Sequence, residues 1–362
     1  MRRHLAQLSA LGLAVSMAAC QSSNSVEPCV AQINDIQVIG SHNSYKLAIP
    51  PAELALIQLQ APEWAAALDY THLPIPAQLD LGIRQIELDV FYDPQGGRYA
   101  TPLAPKLSGH PFDATDMHTP GFKVLHVQDV DARSTCNVLL KCLVDICDWS
   151  VANPAHAPLL ILVNAKQAPI ELPGSVDPLP FDGEAFDALD AEIRTIFGDD
   201  HLISPDQVRG DAATLRDAVL SKGWPDLEAS RGKVLFALDE SPAVVDVYRR
   251  GQTSLNGHPM FINAPDADAA DAAYFTLNDP IGQGDLIGAH VAAGFLVRTR
   301  ADADTKEART GDDMRLEAAL ASGAHYISTD YFQPRPEWSA YVAKLPGDAV
   351  ERGNPIRACA IP

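Results

Sequence analysis

The stretch Arg84-Gln85-Ile86-Glu87-Leu88-Asp89-Val90-Phe91 is the most informative part of the sequence, because it places two acids inside a short apolar run. The run predicts a β-strand. Glu87 and Asp89 are two positions apart, so both carboxylates project from one face while the apolar residues take the other. Like charges on a half-buried strand repel and resist desolvation, and a divalent cation is the simplest neutraliser. The stretch therefore predicts a metal-dependent site.

Polar residues follow three further strand-like runs at the same end. Residues 36–40 lead into Ser41-His42-Asn43-Ser44-Tyr45, residues 122–125 lead into His126, and residues 158–163 lead into Asn164-Ala165-Lys166. In parallel α/β barrels, the chemistry lies where strands end and loops begin, on the carboxyl-terminal face. The repeated placement indicates one shared site.

Strand-like and helix-like segments alternate along the chain, which is long enough, at 362 residues and 47% hydrophobic, for one large core. We predict an α/β fold: a TIM-type (β/α)8 parallel barrel, distorted in places, forming a single catalytic domain. The predicted strands are residues 36–40, 84–91, 122–127, 158–163, 233–238, 259–262, 294–297 and 325–328. The predicted helices include residues 135–152, 184–197, 212–221, 242–250 and 305–322.

Residues 1–19 have the pattern of a signal peptide, with two arginines before an uncharged run. Met17-Ala18-Ala19-Cys20 is similar to a bacterial lipoprotein cleavage box in which Cys20 is lipidated. An ordinary secretory signal with a chance cysteine is the alternative. We therefore expect an exported protein, either secreted or held at the periplasmic or cell-surface side of a membrane by an N-terminal lipid anchor.

The remaining boundaries follow from composition. We predict a polar tether at residues 20–34, the barrel at residues 35–345 and a C-terminal tail at residues 346–362. No segment after the signal reaches the roughly 20 apolar residues of a membrane-spanning helix.

Five cysteines remain after Cys20, and an exported protein can form disulfides. Cys29 and Cys359 lie near opposite ends of the predicted domain, which often meet in a closed fold, so we predict that they pair. Two of the remaining three could also pair; the sequence leaves this choice open. These three are Cys136, Cys142 and Cys147.

The chain is acidic, with 27 Lys and Arg against 47 Asp and Glu and a formal net charge of −20. Removal of residues 1–19 takes away two arginines and no acid, which gives 25 − 47 = −22. Such a surface repels nucleic acid and anionic membranes at long range. We expect no nucleic-acid partner, and we expect a monomer.

As an ordered set, the motifs at His42, Glu87, His126 and Asn164 resemble those of phosphatidylinositol-specific phospholipase C, and the calcium-dependent bacterial type in particular. The resemblance covers roughly residues 35–332. Within this range, the segments 297–302 and 323–331 also resemble the family. It implies a TIM-type barrel, a calcium cofactor, and a phosphodiester lipid or its glycerophospho-headgroup as substrate.

Position by position, the resemblance implies roles for individual residues. His42 and His126 are the catalytic pair, and the predicted calcium ligands are Asn43, Glu87, Asp89 and Asn164. Asn164 falls where many relatives have a glutamate. An amide oxygen still coordinates calcium, but the lost charge should weaken affinity. The resemblance also implies that Lys166 contacts the phosphate. Two further substrate-binding residues are predicted from charge and position rather than from the resemblance: Arg298 would neutralise phosphate charge, and Tyr331, near the end of the last strand, would stack on a sugar ring.

The residues lead to the same chemistry without the resemblance. Carboxylate and amide oxygens suit Ca²⁺, or less readily Mg²⁺, rather than zinc. A histidine can take a proton from an attacking hydroxyl and return one to the leaving alkoxide. Arg298 and Arg300 alternate on one strand face, so both could point inward.

Two alternatives stay open at this level. One is a glycerophosphodiester phosphodiesterase-like hydrolase of soluble diesters, in which water attacks directly; Lys166 and the acidic surface favour it. The other is a catalytically inactive, calcium-stabilised surface lipoprotein, which only the asparagine at position 164 supports. A serine hydrolase is disfavoured because no G-x-S-x-G motif occurs.

Overall fold

A computed structural model describes residues 29–357 and residue 359. The predicted signal peptide at residues 1–19 and Cys20 therefore lie outside the described residues. Ten strands form one sheet. They are β1 Ile36–Ser41, β2 Gln85–Asp93, β3 Gly121–Val124, β4 Leu159–Ala165, β5 Val234–Leu238, β6 Met260–Ile262, β7 Tyr274–Thr276, β8 Leu296–Arg300, β9 Tyr326–Thr329 and β10 Glu351–Gly353.

Eight of these strands run parallel and curl into a nearly closed barrel, as predicted. Their order is β6-β5-β4-β2-β1-β9-β8-β7. A single parallel bridge between Asn263 and Tyr274 joins the two ends of this order. The barrel is therefore a distorted TIM-type barrel whose weakest seam lies between β6 and β7.

The count of eight strands is right, but one member was predicted wrongly. Residues 122–127 contribute β3, which pairs antiparallel with the outer half of β2 and is not a barrel strand. The eighth barrel strand is β7, which the prediction missed. Three residues are too few to show a period of two, so short barrel strands leave little signal in a sequence.

Twelve α-helices accompany the strands in the described part of the chain. They are α1 Pro51–Gln60, α2 Pro62–Ala67, α3 Ile75–Asp80, α4 Leu103–Ser108, α5 Leu139–Ala152, α6 Gly183–His201, α7 Pro205–Arg209, α8 Leu215–Ser221, α9 Pro242–Arg249, α10 Gly284–Ala293, α11 Lys306–Thr310 and α12 Met314–Ala321. Among the described residues, none of these helices combines the length and the apolar character needed to cross a bilayer.

The helix predicted at residues 305–322 is two helices in the structure. Gly311 adopts a positive φ of 67° and ends α11. The Asp312 carboxylate then accepts a hydrogen bond from the backbone N–H of Met314, where α12 begins. A left-handed glycine is a common helix terminator, so the apolar spacing across it does not indicate one continuous helix.

The alternation predicted for β2 is present in the structure. Glu87 and Asp89 are 5% and 3% exposed and face the barrel interior, and the apolar residues between them pack outward against the helices. Gly40 of β1 lies opposite Gln85 of β2. A Cβ at Gly40 would stand 2.1 Å from Oε1 of Gln85, so only glycine allows these two strands to meet.

The two ends of the described chain meet at the amino-terminal end of the barrel. Cys29 and Cys359 form a disulfide with their Cα atoms 5.6 Å apart. Residues 29–34, part of the predicted tether, contact the barrel: the backbone N–H of Ile33 donates to Pro225. In the predicted tail, β10 pairs antiparallel with β1.

A second disulfide joins Cys136 to Cys142, and Cys147 has no disulfide partner among the described residues. The first of these cysteines precedes α5 and the second lies in its first turn. This bond answers the pairing question that the sequence left open.

Candidate active site

A polar cleft of about 220 Å³ opens at the carboxyl-terminal ends of the barrel strands. Every predicted catalytic, metal-binding and substrate-binding residue lines it, with Tyr331 as the exception. Three further residues also line the cleft: Asp239, Asn278 and Arg300. The parallel barrel brings together residues from positions 42 to 300 because it gathers the ends of all its strands on one face.

Glu87 and Asp89 of β2 each have a basic partner. The Arg298 guanidinium on β8 donates to Oε2 of Glu87 at 2.5 Å, and both side chains are buried. The Lys166 ammonium lies 3.4 Å from Oδ2 of Asp89. The Asp89 carboxylate raises the pKa of Lys166, against the effect of burial. The carboxylates are thus neutralised inside the protein.

Two amides complete the predicted ligand set. Asn164 lies directly opposite Asp89 in the register of β2 and β4, and its Nδ2 donates to Oε1 of Glu87 at 3.3 Å. Asn43, in the loop after β1, donates through Nδ2 to the Tyr70 hydroxyl at 2.7 Å. Asn43 has a φ of 46°, a left-handed conformation that asparagine tolerates better than most residues.

The four predicted ligands fit a hard cation that is bound with modest affinity. All four offer oxygen, and the amide nitrogens of Asn43 and Asn164 are engaged elsewhere, which leaves the two carbonyl oxygens for coordination. Only two of the four are acidic. Within the described residues, no three His, Cys, Asp or Glu side chains converge on one point. The donor chemistry thus suits calcium, with one carboxylate fewer than a strong site provides.

The His42 ring is held between an acid and an arginine. Its Nδ1 lies 2.8 Å from Oδ1 of Asp330, and its Nε2 lies 3.3 Å from Nη1 of Arg300. Because a guanidinium can only donate, Nε2 carries the lone pair and Nδ1 carries the proton. Burial, followed by the Arg300 charge, holds the pKa of His42 well below its ordinary value.

His126 has a similar but distinct arrangement. Its Nδ1 lies 2.9 Å from Oδ2 of Asp131, and the same carboxylate oxygen lies 3.2 Å from Nζ of Lys46. Asp131 and Lys46 are fully buried. Burial raises the pKa of Asp131, but the Lys46 ammonium and His126 outweigh it and lower the pKa below its ordinary value. Each imidazole is therefore oriented by a buried carboxylate.

The structure places Tyr331 away from the cleft, in contrast to its predicted contact with substrate. It is 4% exposed and packs against Trp338 and Tyr341. The reason is the period of two: the preceding residue, Asp330, points toward His42, so Tyr331 points to the opposite side. Arg298 does line the cleft, but its guanidinium is bonded to Glu87, Asn278 and Ser328.

Sequence reasoning missed several residues of the site. Asp330 and Asp239 each come directly after the end of a barrel strand. The same position identified His42, so a systematic search for polar residues at strand ends could have found both acids. The Asp239 carboxylate accepts a hydrogen bond from Asn263 at 2.9 Å, and burial raises its pKa. The roles of Lys46 and Tyr70 depend on contacts that no local pattern reveals.

The fold and the cleft together define a class of enzyme: a barrel phosphodiesterase with two carboxylate-supported histidines beside a set of oxygen ligands. Residues 31–355 match the family described as phosphoinositide phospholipase C, Ca²⁺-dependent, and the chain belongs to this family. Its members are phosphodiesterases of the phosphatidylinositol-specific phospholipase C type.

Solved structures agree on the fold. A calcium-dependent phosphoinositol-specific phospholipase C from Pseudomonas sp., in a myo-inositol complex, superposes with a TM-score of 0.54 at 17% identity, covering 89% of this chain and 95% of that chain. A Ca²⁺-dependent phosphatidylinositol-specific phospholipase C from Streptomyces antibioticus superposes with a TM-score of 0.51 at 17% identity, covering 83% and 95%. No curated protein matches the chain.

Proposed function

We propose that this protein is a calcium-dependent phospholipase C that cleaves the phosphodiester of a phosphatidylinositol-type lipid by histidine acid–base catalysis. The single observation that carries the proposal is the geometry of the cleft. His42 and His126, each oriented by a carboxylate, face the same polar space as Glu87 and Asp89. The family and the myo-inositol complex of the Pseudomonas relative support an inositol headgroup.

His42 is the general base in this proposal. Its Nε2 carries the lone pair, and its depressed pKa keeps the ring neutral at neutral pH. The substrate's own hydroxyl next to the phosphate gives its proton to this nitrogen and attacks phosphorus. Arg300 holds that nitrogen at 3.3 Å, a long contact that a substrate hydroxyl can replace.

His126 is the general acid. The buried Asp131 carboxylate binds Nδ1 and orients the ring, which leaves Nε2 to donate a proton to the leaving group. The new P–O bond closes a cyclic inositol phosphate while the P–O bond to glycerol breaks. The leaving alkoxide takes the proton from His126 and departs as diacylglycerol, so protons and atoms balance.

Calcium, held by Asn43, Glu87, Asp89 and Asn164, would polarise a phosphoryl oxygen and favour ionisation of a coordinated hydroxyl. Lys166 and Arg300 add positive charge on the cleft wall. Both can stabilise the negative charge that develops on the non-bridging phosphate oxygens.

A lipid substrate fits the surroundings of the cleft. The cleft has room for a headgroup, and helices α1 and α2 lie in the loop region that follows β1, on the same face of the barrel. Leu59 and Trp64 on these helices are 79% and 61% exposed. Exposed large apolar side chains beside an active site favour contact with a lipid surface.

Export belongs to the same proposal. The disulfides Cys29–Cys359 and Cys136–Cys142 are typical of oxidising compartments outside the cytosol. We propose a monomeric exported enzyme, anchored through Cys20 or secreted, whose catalytic domain meets lipid from outside the cytosol.

Phosphorus NMR tests the reaction directly. The enzyme is incubated with phosphatidylinositol vesicles and, separately, with glycerophosphoinositol, each with calcium and with chelator. We expect a cyclic phosphodiester product from the vesicles, only with calcium. A non-cyclic monoester formed without any cyclic intermediate would indicate attack by water and the soluble-diester hydrolase, and no turnover of either substrate would overturn the proposal.

Variants identify the groups that act. His42→Ala and His126→Ala should each lower the rate by roughly 10²–10⁴. His118→Ala is the matched control, because His118 is exposed and lies outside the cleft. A near-normal rate in either cleft variant would remove that histidine from the mechanism.

A further inference from the structure

The Lys166 ammonium lies beside a predicted cation ligand. Its Nζ is 3.4 Å from Oδ2 of Asp89, and it is the only salt-bridge partner that Asp89 has among the described residues. The Lys166 side chain is 38% exposed, whereas that of Asp89 is 4% exposed. One end of this ion pair is therefore fixed in the barrel and the other is free to move into the cleft.

The second ion pair of the site is different in kind. Arg298 is 1% exposed and bonds Glu87, Asn278 and Ser328 at once. If the Arg298 guanidinium moved away from these partners, a buried charge would remain unpaired. Arg298 is thus a permanent counter-ion of Glu87, while Lys166 has a single ionic partner and four flexible methylenes.

The charges of the site cancel while Lys166 remains in place. The two carboxylates of Glu87 and Asp89 contribute two negative charges, and Arg298 and Lys166 contribute two positive ones. The third strand-end ligand, Asn164, contributes none. A divalent cation that approaches this set must compete with the ammonium for the Asp89 oxygen.

We propose that Lys166 is a movable counter-ion that couples cation binding to phosphate binding. It neutralises Asp89 until calcium takes that carboxylate, and it then turns to the phosphate of the substrate in the same cleft. Calcium and phosphate binding therefore reinforce one another, and the coupling is reciprocal. The inference rests on the proposed calcium-dependent function and adds a positioning role to Lys166.

Calorimetric titration of calcium tests this without reference to activity. The wild-type protein is titrated alone and with saturating myo-inositol 1-phosphate, and so are Lys166→Met and Lys141→Met. Lys141 is the matched control because it pairs with Asp116 on the surface, 57% exposed. Lys166→Gln and circular dichroism of each variant guard against a folding defect.

We expect the inositol phosphate to tighten calcium binding to the wild-type protein several-fold. Lys166→Met should bind calcium about tenfold more tightly on its own, because one positive charge beside the site is gone. Its further gain from inositol phosphate should be clearly smaller than that of the wild type, because only the direct contact between the cation and the phosphate then links the two binding events. Lys141→Met should behave as the wild type.

The possible failures are distinguishable. Equal or weaker calcium binding in Lys166→Met, beside a wild-type protein that binds calcium, would overturn the role of Lys166 and leave the proposed function intact. Absence of calcium binding in every variant, with the folds intact, would overturn both the counter-ion role and the calcium-dependent function.

Discussion

Asn164 lies directly opposite Asp89 on the neighbouring strand, at the centre of the predicted cation site. An amide thus stands where a carboxylate would add a third negative charge. The side chain donates a hydrogen bond to Glu87 through Nδ2, which leaves its carbonyl oxygen for coordination.

The first prediction concerns this position. Asn164→Glu should raise calcium affinity about ten- to a hundredfold, because ligand charge is a main determinant of affinity at calcium sites. Asn164→Gln is the control of equal size without the charge and should leave the affinity near that of the wild type. Calorimetric titration of calcium measures both, and equal affinities in the two variants would exclude Asn164 from the site.

The second prediction distinguishes the roles of Glu87 and Asp89. Asp89→Asn should abolish most calcium binding with little loss of stability, since Lys166 can turn to solvent. Glu87→Gln should also weaken calcium binding, but it should cost on the order of 3 kcal/mol in the free energy of unfolding because it deprives the buried Arg298 of its carboxylate. Urea unfolding and calcium titration of both variants check this. Equal stabilities would contradict the difference in burial.

The third prediction concerns the orientation of His42. Asp330→Asn should lower the rate by roughly 10²–10⁴, a range typical of general base catalysis. The asparagine carbonyl can still accept from Arg300, which leaves its NH₂ group facing Nδ1 of His42 and forces the proton onto Nε2. Steady-state kinetics measure the rate. A normal rate with a normal fold would show that His42 needs no carboxylate partner.

The fourth prediction concerns acid stability. His325 is fully buried, accepts a hydrogen bond from the backbone of Val297 at Nδ1 and donates from Nε2 to Asn34. Burial lowers its pKa to about 3, with the Asn34 carbonyl opposing. The unfolded chain takes up this proton near pH 6.5, so the stabilisation is complete above that pH and is lost as pH falls toward 3, by roughly 1 kcal/mol per pH unit.

Substitution tests the assignment of this pH dependence. His325→Gln can preserve both hydrogen bonds without a proton to bind, so its stability should fall less steeply between pH 6 and pH 4 than that of the wild type. His118→Gln, at an exposed position, should follow the wild type. Urea unfolding across the pH range gives the slopes, and parallel slopes for His325→Gln and the wild type would refute the assignment.

The fifth prediction compares the two disulfides. Cys29–Cys359 closes a loop of 330 residues and Cys136–Cys142 a loop of six. Because restriction of the unfolded chain grows with loop length, replacing the first pair by serines should cost about 2–5 kcal/mol and replacing the second pair clearly less. Urea unfolding of the two double-serine variants measures the difference. A larger cost for the short loop would contradict the chain-entropy argument.

Local patterns predicted the strands that carry the chemistry better than the limits of the barrel. Glu87 and Asp89 could be identified because a period of two is visible over the nine residues of β2. The three-residue β7 carried no such signal, and β3 was mistaken for a barrel strand because a short apolar run does not show in which direction a strand pairs. The direction of a strand in the sheet depends on the segments that connect it to its neighbours, and the residue pattern of the strand itself does not contain this information.

From the sequence we could predict the fold class, the two histidines, the acidic pair and the oxygen-bearing residues of the cleft, because each depends on side-chain type and on local spacing. The partners of these residues became clear only from the folded structure: Arg298 on Glu87, Lys166 on Asp89, Asp330 on His42 and Asp131 on His126. Three of these four pairs join different strands or the loops beside them. Contacts across a barrel are set by strand order and register, and residues as distant as 87 and 298 then meet in one cleft.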